Sequence, residues 1–208
     1  MLEKLHWLGH STIRWDASRV IYFDPWKISG NPAKADIICI THDHFDHFSP
    51  ADIKKVVSTS TIIVTDISVA GKASANELGC KEVIALSPEG EVVVERVKIR
   101  AVPSYNLNKP FHTKASKKVG FVVESDDIKV YHAGDTDLIP EMSRISCKVA
   151  FLPVCGTYVM TAEEAAQAAL IIKPNYAIPI HYDDKNDADK FSSLLKGKIE
   201  VIILDKGG

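Results

Sequence analysis

Ile37-Ile38-Cys39-Ile40-Thr41-His42-Asp43-His44-Phe45-Asp46-His47 is the stretch on which the reading of this chain turns. Its first four residues form an unbroken apolar run dominated by isoleucine, the pattern of a strand buried on both faces. The polar run that follows stops before Ser49-Pro50. There, serine at the N-cap, proline at the first helical position and Asp52 at the third predict a helix start. The histidines therefore sit on a loop at the end of a buried strand, where function is commonly mounted on a rigid scaffold. Three imidazoles and two carboxylates fall within the six residues from His42 to His47. Imidazole nitrogen and carboxylate oxygen are the ordinary donors for zinc and its neighbours. A solvated charged loop explains one histidine, not three interleaved with aspartate. Alternation along the run turns Asp43 and Phe45 away from the side to which His42 and His44 point, and Phe45 is expected in the core.

Outward from this stretch, short apolar runs rich in β-branched residues recur at 2–8, 12–15, 20–23, 37–41, 61–64, 83–86, 92–94, 97–103, 119–124, 128–131, 149–154, 176–180 and 199–204, and all are read as strands. Four helices interrupt them. One starts at Ser49. Asp66 caps a second that runs to Leu78 and ends at Gly79. Thr161 and Glu164 form a capping box before an alanine-rich third, which stops at Pro174. The fourth spans 188–195 and is closed by Gly197. A strand-rich part followed by helix–strand pairs occurs twice, which predicts an α/β chain with two sheets face to face and helices outside. No linker or low-complexity tract divides it, so residues 1–208 are expected to form a single domain.

The 208 residues are 46% hydrophobic and 25% charged, with a formal net charge of -2. These are ordinary values for a globular chain, and the charge argues against a nucleic-acid partner held by counterion release. Lys114, Lys117 and Lys118 form a short basic cluster, read as a solvated loop. Cys39, Cys80, Cys147 and Cys155 are widely spaced without a Cys-x-x-Cys pair, which reads as reduced thiols, with Cys39 packing in its strand. The chain opens on an alternating strand with no signal-peptide pattern, and no apolar stretch is long enough to span a bilayer. A cytoplasmic protein with a small-molecule substrate is expected; a homo-oligomer is compatible with the composition.

The histidine run has the form His-x-His-x-Asp-His and resembles the signature of the metallo-β-lactamase superfamily. The resemblance covers essentially the whole chain, through Leu8-Gly9-His10-Ser11, Phe23-Asp24-Pro25, His132-Ala133-Gly134-Asp135-Thr136 and Pro179-Ile180-His181-Tyr182. The order and neighbours of these motifs are similar to the subgroup that includes ascorbate-6-phosphate lactonase and the N-acyl-phosphatidylethanolamine phospholipase D. The resemblance implies a four-layer αββα sandwich and a metal-dependent hydrolase whose metal-activated water attacks an ester, lactone or phosphodiester. It implies His42 and His44 on a first metal, Asp46, His47 and His181 on a second, and Asp135 bridging, with zinc, manganese or iron as the ions and one or two per chain. Asp135 follows the 128–131 strand and His181 the 176–180 strand, so both lie at strand ends, as the histidine run does, and the three loops can converge on one rim.

The superfamily pattern places a third histidine for the first metal near Ser104, where this chain reads Val102-Pro103-Ser104-Tyr105-Asn106. An amide oxygen suits manganese, iron or magnesium better than zinc. Three candidates stand for that donor: Asn106 itself, His112 in the following Pro-Phe-His stretch, and His10 from the first strand turn. Asp46 is implied to orient the nucleophile. His10, His112 and Tyr158, the last in Cys155-Gly156-Thr157-Tyr158, are candidates for substrate contact or leaving-group protonation. Asp24 is either a hydrogen-bond partner of a ligand imidazole or a turn starter. His132 reads as a hydrogen-bonded core histidine, and His6 is given no function. Two alternatives share the fold. Diiron-type oxidoreductases carry Glu where His44 stands and a flavin domain. Nucleases need an added nucleic-acid arm.

Overall fold

The structure, a computed structural model, describes residues 1–207. Ile37–Ile40 forms β4, and all four of its side chains are buried. Its neighbours in a first sheet are β1 (Leu5–Gly9), β2 (Thr12–Asp16), β3 (Val20–Phe23), β5 (Ile62–Asp66) and β6 (Glu82–Leu86), lying in chain order. The pairs β1–β2 and β2–β3 are antiparallel, and from β3 to β6 every pair is parallel. A second sheet repeats the scheme with β7 (Glu91–Val94), β8 (Val97–Pro103), β9 (Val119–Ser125), β10 (Ile128–His132), β11 (Val149–Pro153), β12 (Tyr176–Ile180) and β13 (Glu200–Val201). It is antiparallel as far as β10 and parallel beyond. Parallel neighbours need a crossover connection. Helices α1 (Pro50–Val56), α2 (Ile67–Ala70) and α3 (Ala75–Leu78) serve the first sheet, α4 (Ala162–Ile172) and α5 (Lys185–Leu195) the second.

The period-two alternation of strand side chains sorts the core into three leaves. Ile37, Cys39 and Val64 of the first sheet meet Ile99, Phe121, Phe151 and Ile178 of the second in a leaf between the sheets. Ile38, Ile40 and Ile63 point the other way, onto Ile53, Val56, Val69 and Leu78 of α1–α3. Tyr131, Ala150, Leu152 and Ala177 cover the outer face of the second sheet beneath Ala165, Ala169, Phe191 and Leu195 of α4 and α5. The result is the expected four-layer αββα sandwich. β4 is uniformly apolar because it serves two leaves at once.

Several boundaries differ from the sequence reading, each for a local reason. Leu2–Lys4 is a turn of 3-10 helix, so the first strand begins at Leu5. The helix expected from Asp66 to Leu78 is two short ones. α2 ends at Gly71, and Ser74 starts α3 with a capping box to Glu77, a start signal that the longer reading overran. α5 begins at Lys185, capped by Asp184, whose carboxylate accepts from Asn186 N. β13 pairs with β12 only at Tyr176 and Ala177, which leaves Pro179 where β12 has a free edge and no ladder donor is needed.

Gly120 sits in β9 beneath the Ala133-Gly134-Asp135 segment. A Cβ there would lie 2.6 Å from Ala133 O and 2.7 Å from His132 O. Both obstacles are backbone, so the segment would have to lift. Gly120→Ala is therefore expected to cost about 1–3 kcal/mol of stability, as overpacking does, read as a lowered urea midpoint. An unchanged midpoint would show that the Asp135 segment is not held down at this point.

Candidate metal centre

The loops that leave the ends of β1, β3, β4, β8, β10 and β12 carry His10, Asp24, the 41–47 run, His112, Asp135 and His181, and they meet at one rim of the sandwich. Two groups of donors form there. His42, His44, His112 and Asp135 make one; His10, Asp46, His47 and His181 make the other; within each, the donor atoms lie within 4.8 Å of one another. Asp135 faces both groups. Its Oδ1 is 3.2 Å from His47 Nε2 and 3.3 Å from His181 Nε2, and its Oδ2 is 4.0 Å from His42 Nε2.

Three of these nitrogens, His42 Nε2, His47 Nε2 and His181 Nε2, together with Asp135 Oδ1, are buried without a hydrogen-bond partner among the described residues. The Asp135 contacts are close but lack hydrogen-bond geometry. Buried polar atoms in folded proteins are almost always paired, because leaving one unpaired costs about 1–3 kcal/mol. Four such atoms aimed at one space suit a divalent cation, and imidazole with carboxylate is a chemically apt donor set for it.

The opposite edges of the rings are held. His47 Nδ1 lies 2.7 Å from Asp24 Oδ2, and Asp24, fully buried, also accepts from Thr41 N and Thr41 Oγ1 at 2.7 Å each. His42 Nδ1 is 3.0 Å from Thr41 Oγ1. His112 Nδ1 donates to Asp135 O at 3.1 Å, and His181 Nδ1 is 3.5 Å from Cys155 Sγ. His10 Nε2 meets Asp46 Oδ2 at 3.1 Å, while its carbonyl accepts from Trp7 Nε1 and His181 N. Such outer contacts fix ring orientation and tautomer. Asp24 thus acts as an imidazole partner rather than a turn starter, and Cys155 has a place that the sequence reading did not assign.

Charge in the cluster is unevenly shared. Burial by itself would depress the pKa of His47, but the Asp135 and Asp24 carboxylates reverse this and raise it to about 10. His181 is likewise raised, against its burial, by Asp135. Asp135 is held well below the carboxylate range, because His47 and His181 outweigh the opposing effect of burial. In His42, burial and then His47 outweigh the Asp135 carboxylate, which lies farther off at 4.0 Å, and the pKa is lowered. The buried Asp135 anion therefore demands positive charge beside it, which a divalent cation also supplies. Backbone strain gathers at the same rim: His10, Asp24, His112 and His181 all adopt left-handed φ, between 43° and 55°.

Among the three candidates for the last donor of the first group, His112 comes to lie beside His44, its Nε2 3.0 Å from His44 Nδ1. His10 joins the second group instead of the first. Asn106 turns its Nδ2 to Tyr158 O at 2.8 Å and closes the loop through Asn106 N to His112 O at 2.7 Å. Asp137 clamps the same loop by accepting from Leu107 N at 2.8 Å and from Lys109 Nζ. Tyr158 stands half-exposed on the rim. His132 is a core residue, its Nε2 2.8 Å from Ser11 O and its ring stacked on Phe23.

Two expectations fail. Phe45 is 76% exposed instead of packed in the core. Lys118 is buried and ion-paired with Asp43, not a member of a solvated basic loop. A cavity of about 500 Å³ opens over the donors, lined by His44, Asp46, His112, Asp135 and His181 together with Phe45, Phe111 and Tyr158.

This geometry agrees with what the chain is similar to. The beta-lactamase superfamily domain matches residues 4–181, a span that contains all eight clustered donors and ends on His181. The chain belongs to this superfamily. A UPF0173 metal-dependent hydrolase of Thermococcus onnurineus is 33% identical, with 99% of this chain and 98% of the relative covered. A second, from Thermococcus kodakarensis, is 30% identical over the same shares. The chain is thus one of the metal-dependent hydrolases of the metallo-β-lactamase superfamily. A crystal structure from Parabacteroides distasonis superposes with a TM-score of 0.84 at 31% identity, covering 97% of this chain and 92% of the other. A metallo hydrolase from Ignicoccus hospitalis superposes with a TM-score of 0.78 at 25% identity, covering 98% and 95%.

Asp24 offers a test of the outer contacts. Asp24→Asn keeps the shape but removes the charge that faces His47 Nδ1. It is expected to weaken metal binding by about 10–100-fold, as the loss of outer partners does, measured by competition with a chromogenic chelator. Unchanged affinity would show that Asp24 serves only Thr41.

Proposed function

We propose that the chain hydrolyses a small-molecule ester, lactone or phosphodiester, using one or two divalent ions held by the two donor groups around Asp135. The convergence of four unpartnered buried atoms, His42 Nε2, His47 Nε2, His181 Nε2 and Asp135 Oδ1, carries this reading. His42, His44 and His112 would hold one ion, Asp46, His47 and His181 the other, with His10 beside the second and Asp135 shared. Imidazole nitrogen and carboxylate oxygen without thiolate favour zinc, manganese or iron. When bound, such ions provide hydroxide from water near neutral pH and polarise the oxygen of the group under attack.

The chain's own residues supply the rest. Asp46 lines the cavity, and its contact with His10 helps hold its carboxyl ionised against the effect of burial. It is placed to orient the attacking water and to accept its proton. His10 fixes the Asp46 carboxylate through the 3.1 Å contact. Tyr158, on the open side, is placed to touch substrate or to protonate the leaving group. Asn106 acts indirectly, by fastening the His112 loop to Tyr158 O. The similarity of the motifs around His10, Asp24, Asp135 and His181 to the lactonase and phospholipase subgroup supports lactones and phosphodiesters beside simple esters. The whole chain works in this reading as one catalytic domain. Its four free cysteines fit a cytoplasmic setting. Among the described residues, no helix is long and apolar enough to cross a membrane.

Asp135→Ala is expected to abolish metal content and hydrolysis together, read by elemental analysis per chain and by a panel of esters, lactones and phosphodiesters. Retention of both would refute the shared role. His112→Ala is expected to lower metal content, whereas Asn106→Ala leaves it in place. The opposite order would return the third donor to Asn106.

A further inference from the structure

Three aromatic side chains stand in water around the donor groups, where the hydrophobic effect disfavours them. Phe45 is 76% exposed, Tyr158 50% and Phe111 44%. All three line the cavity of about 500 Å³ over the donors, a size suited to a small organic ligand. Each is tied in position to the centre. Phe45 lies between His44 and Asp46 in the chain, and Phe111 directly precedes His112. The backbone carbonyl of Tyr158 is held by Asn106 Nδ2 at 2.8 Å. Phe111 and Tyr158 also meet edge to face, with ring centroids 5.3 Å apart, and Phe45 leans on Trp26 at 6.0 Å. The aromatic surface is therefore a wall in fixed register with the place where a bond would be cut.

Charge around the cavity points the same way. Among the described residues, no lysine or arginine lines it. The nearby Lys118 is committed to Asp43, which also takes Lys72 at 2.5 Å. On the far side of Tyr158, a second cavity of about 310 Å³ is walled by Asp183, Asp184 and Asp187. Among the described residues, no lysine or arginine lines either cavity. A carboxylate or phosphate laid against the aromatic wall would give up hydration with no cationic side chain beside it to offset the loss.

We infer that the centre is built for substrates with an uncharged, apolar acyl or aryl group beside the scissile bond, and that Phe45, Phe111 and Tyr158 form the subsite that receives it. The inference rests on the hydrolase reading for its use but concerns a surface that binds whether or not turnover occurs.

Two hydroxamates of equal chain length separate the cases: hexanohydroxamate, which ends in a methyl, and the monohydroxamate of hexanedioic acid, which ends in a carboxylate. Titrated calorimetrically into zinc-loaded protein, the methyl-ended probe is expected to bind about tenfold more tightly or better, from apolar burial and the cost of desolvating the carboxylate. Phe45→Ser and Tyr158→Ser, each with its metal content measured, are expected to narrow that ratio, and Tyr158→Phe to preserve it. Equal affinities, a preference for the carboxylate, or a ratio untouched by both serine variants would overturn the inference and leave the hydrolase reading standing. Selective binding of the methyl-ended probe by a protein that hydrolyses no ester, lactone or phosphodiester would uphold the subsite and overturn the proposed reaction.

Discussion

The arrangement depends on one buried carboxylate. Asp135 has been taken out of water at the meeting point of two sheets, and an isolated ionised group in such a place is not tolerated without compensation. Its two oxygens face three imidazoles from two different loops, at 3.2, 3.3 and 4.0 Å. Without positive charge between them, the imidazole nitrogens and Asp135 Oδ1 remain close yet unpaired. One or two divalent cations held by the two donor groups would satisfy them, which would link folding of the rim to metal binding. The outer contacts serve the same end. Asp24 and Thr41 tie β3 to the end of β4 through two bonds of 2.7 Å, and Asp24 Oδ2, 2.7 Å from His47 Nδ1, holds His47 turned toward Asp135.

The Gly134-Asp135-Thr136-Asp137 segment extends this control to the neighbouring loop. Ser104 Oγ and His112 Nδ1 donate to Asp135 O at 2.8 and 3.1 Å, Thr136 Oγ1 takes Tyr105 N, and Asp137 accepts from Leu107 N. The strand end that presents the shared carboxylate thus also holds the loop that carries His112. That loop is long and irregular, and loops of this kind are held by their polar contacts rather than by secondary structure. The left-handed φ of His10, Asp24, His112 and His181 shows what the rim costs. Histidine and aspartate enter that region only at some expense, and these four do so where the surrounding bonds leave no alternative.

The fold was legible because the layers write themselves into strand patterns. β4 and β11 read as continuous apolar runs because both faces of each are covered. The helix starts at Ser49 and Thr161 were visible as caps. The pairing of β13 over just two residues was not, since the apolar run at 199–204 continues past Glu200 and Val201, where the pairing with β12 stops. In the site, the residues near one another in sequence were readable as donors, and strand ends gave reason to bring Asp135 and His181 to them. The choice among Asn106, His10 and His112 was beyond sequence, because it turns on a φ of 51° at His112 and on bonds from Asn106 and Asp137 that close the loop. Cys155 gave no signal, as its contact with His181 spans 26 residues of chain.

Phe45 failed the sequence rule most clearly, and the failure is informative. In a run of alternating side chains, a phenylalanine opposite two candidate ligands belongs in the core if the run is a strand. The run is a turn instead: His47 N and Phe48 N both bond to His44 O, at 3.0 and 2.7 Å. The turn brings His42, His44, Asp46 and His47 onto the donor side and leaves Phe45 no interior to enter. Natural sequences break local consistency mainly at functional sites. Here the break has a direction, since Phe45, Phe111 and Tyr158 are all exposed and line the same cavity over the donors. An apolar surface kept open beside a buried anion, with Lys118 already paired to Asp43, is complementary to an uncharged apolar group and not to a second anion.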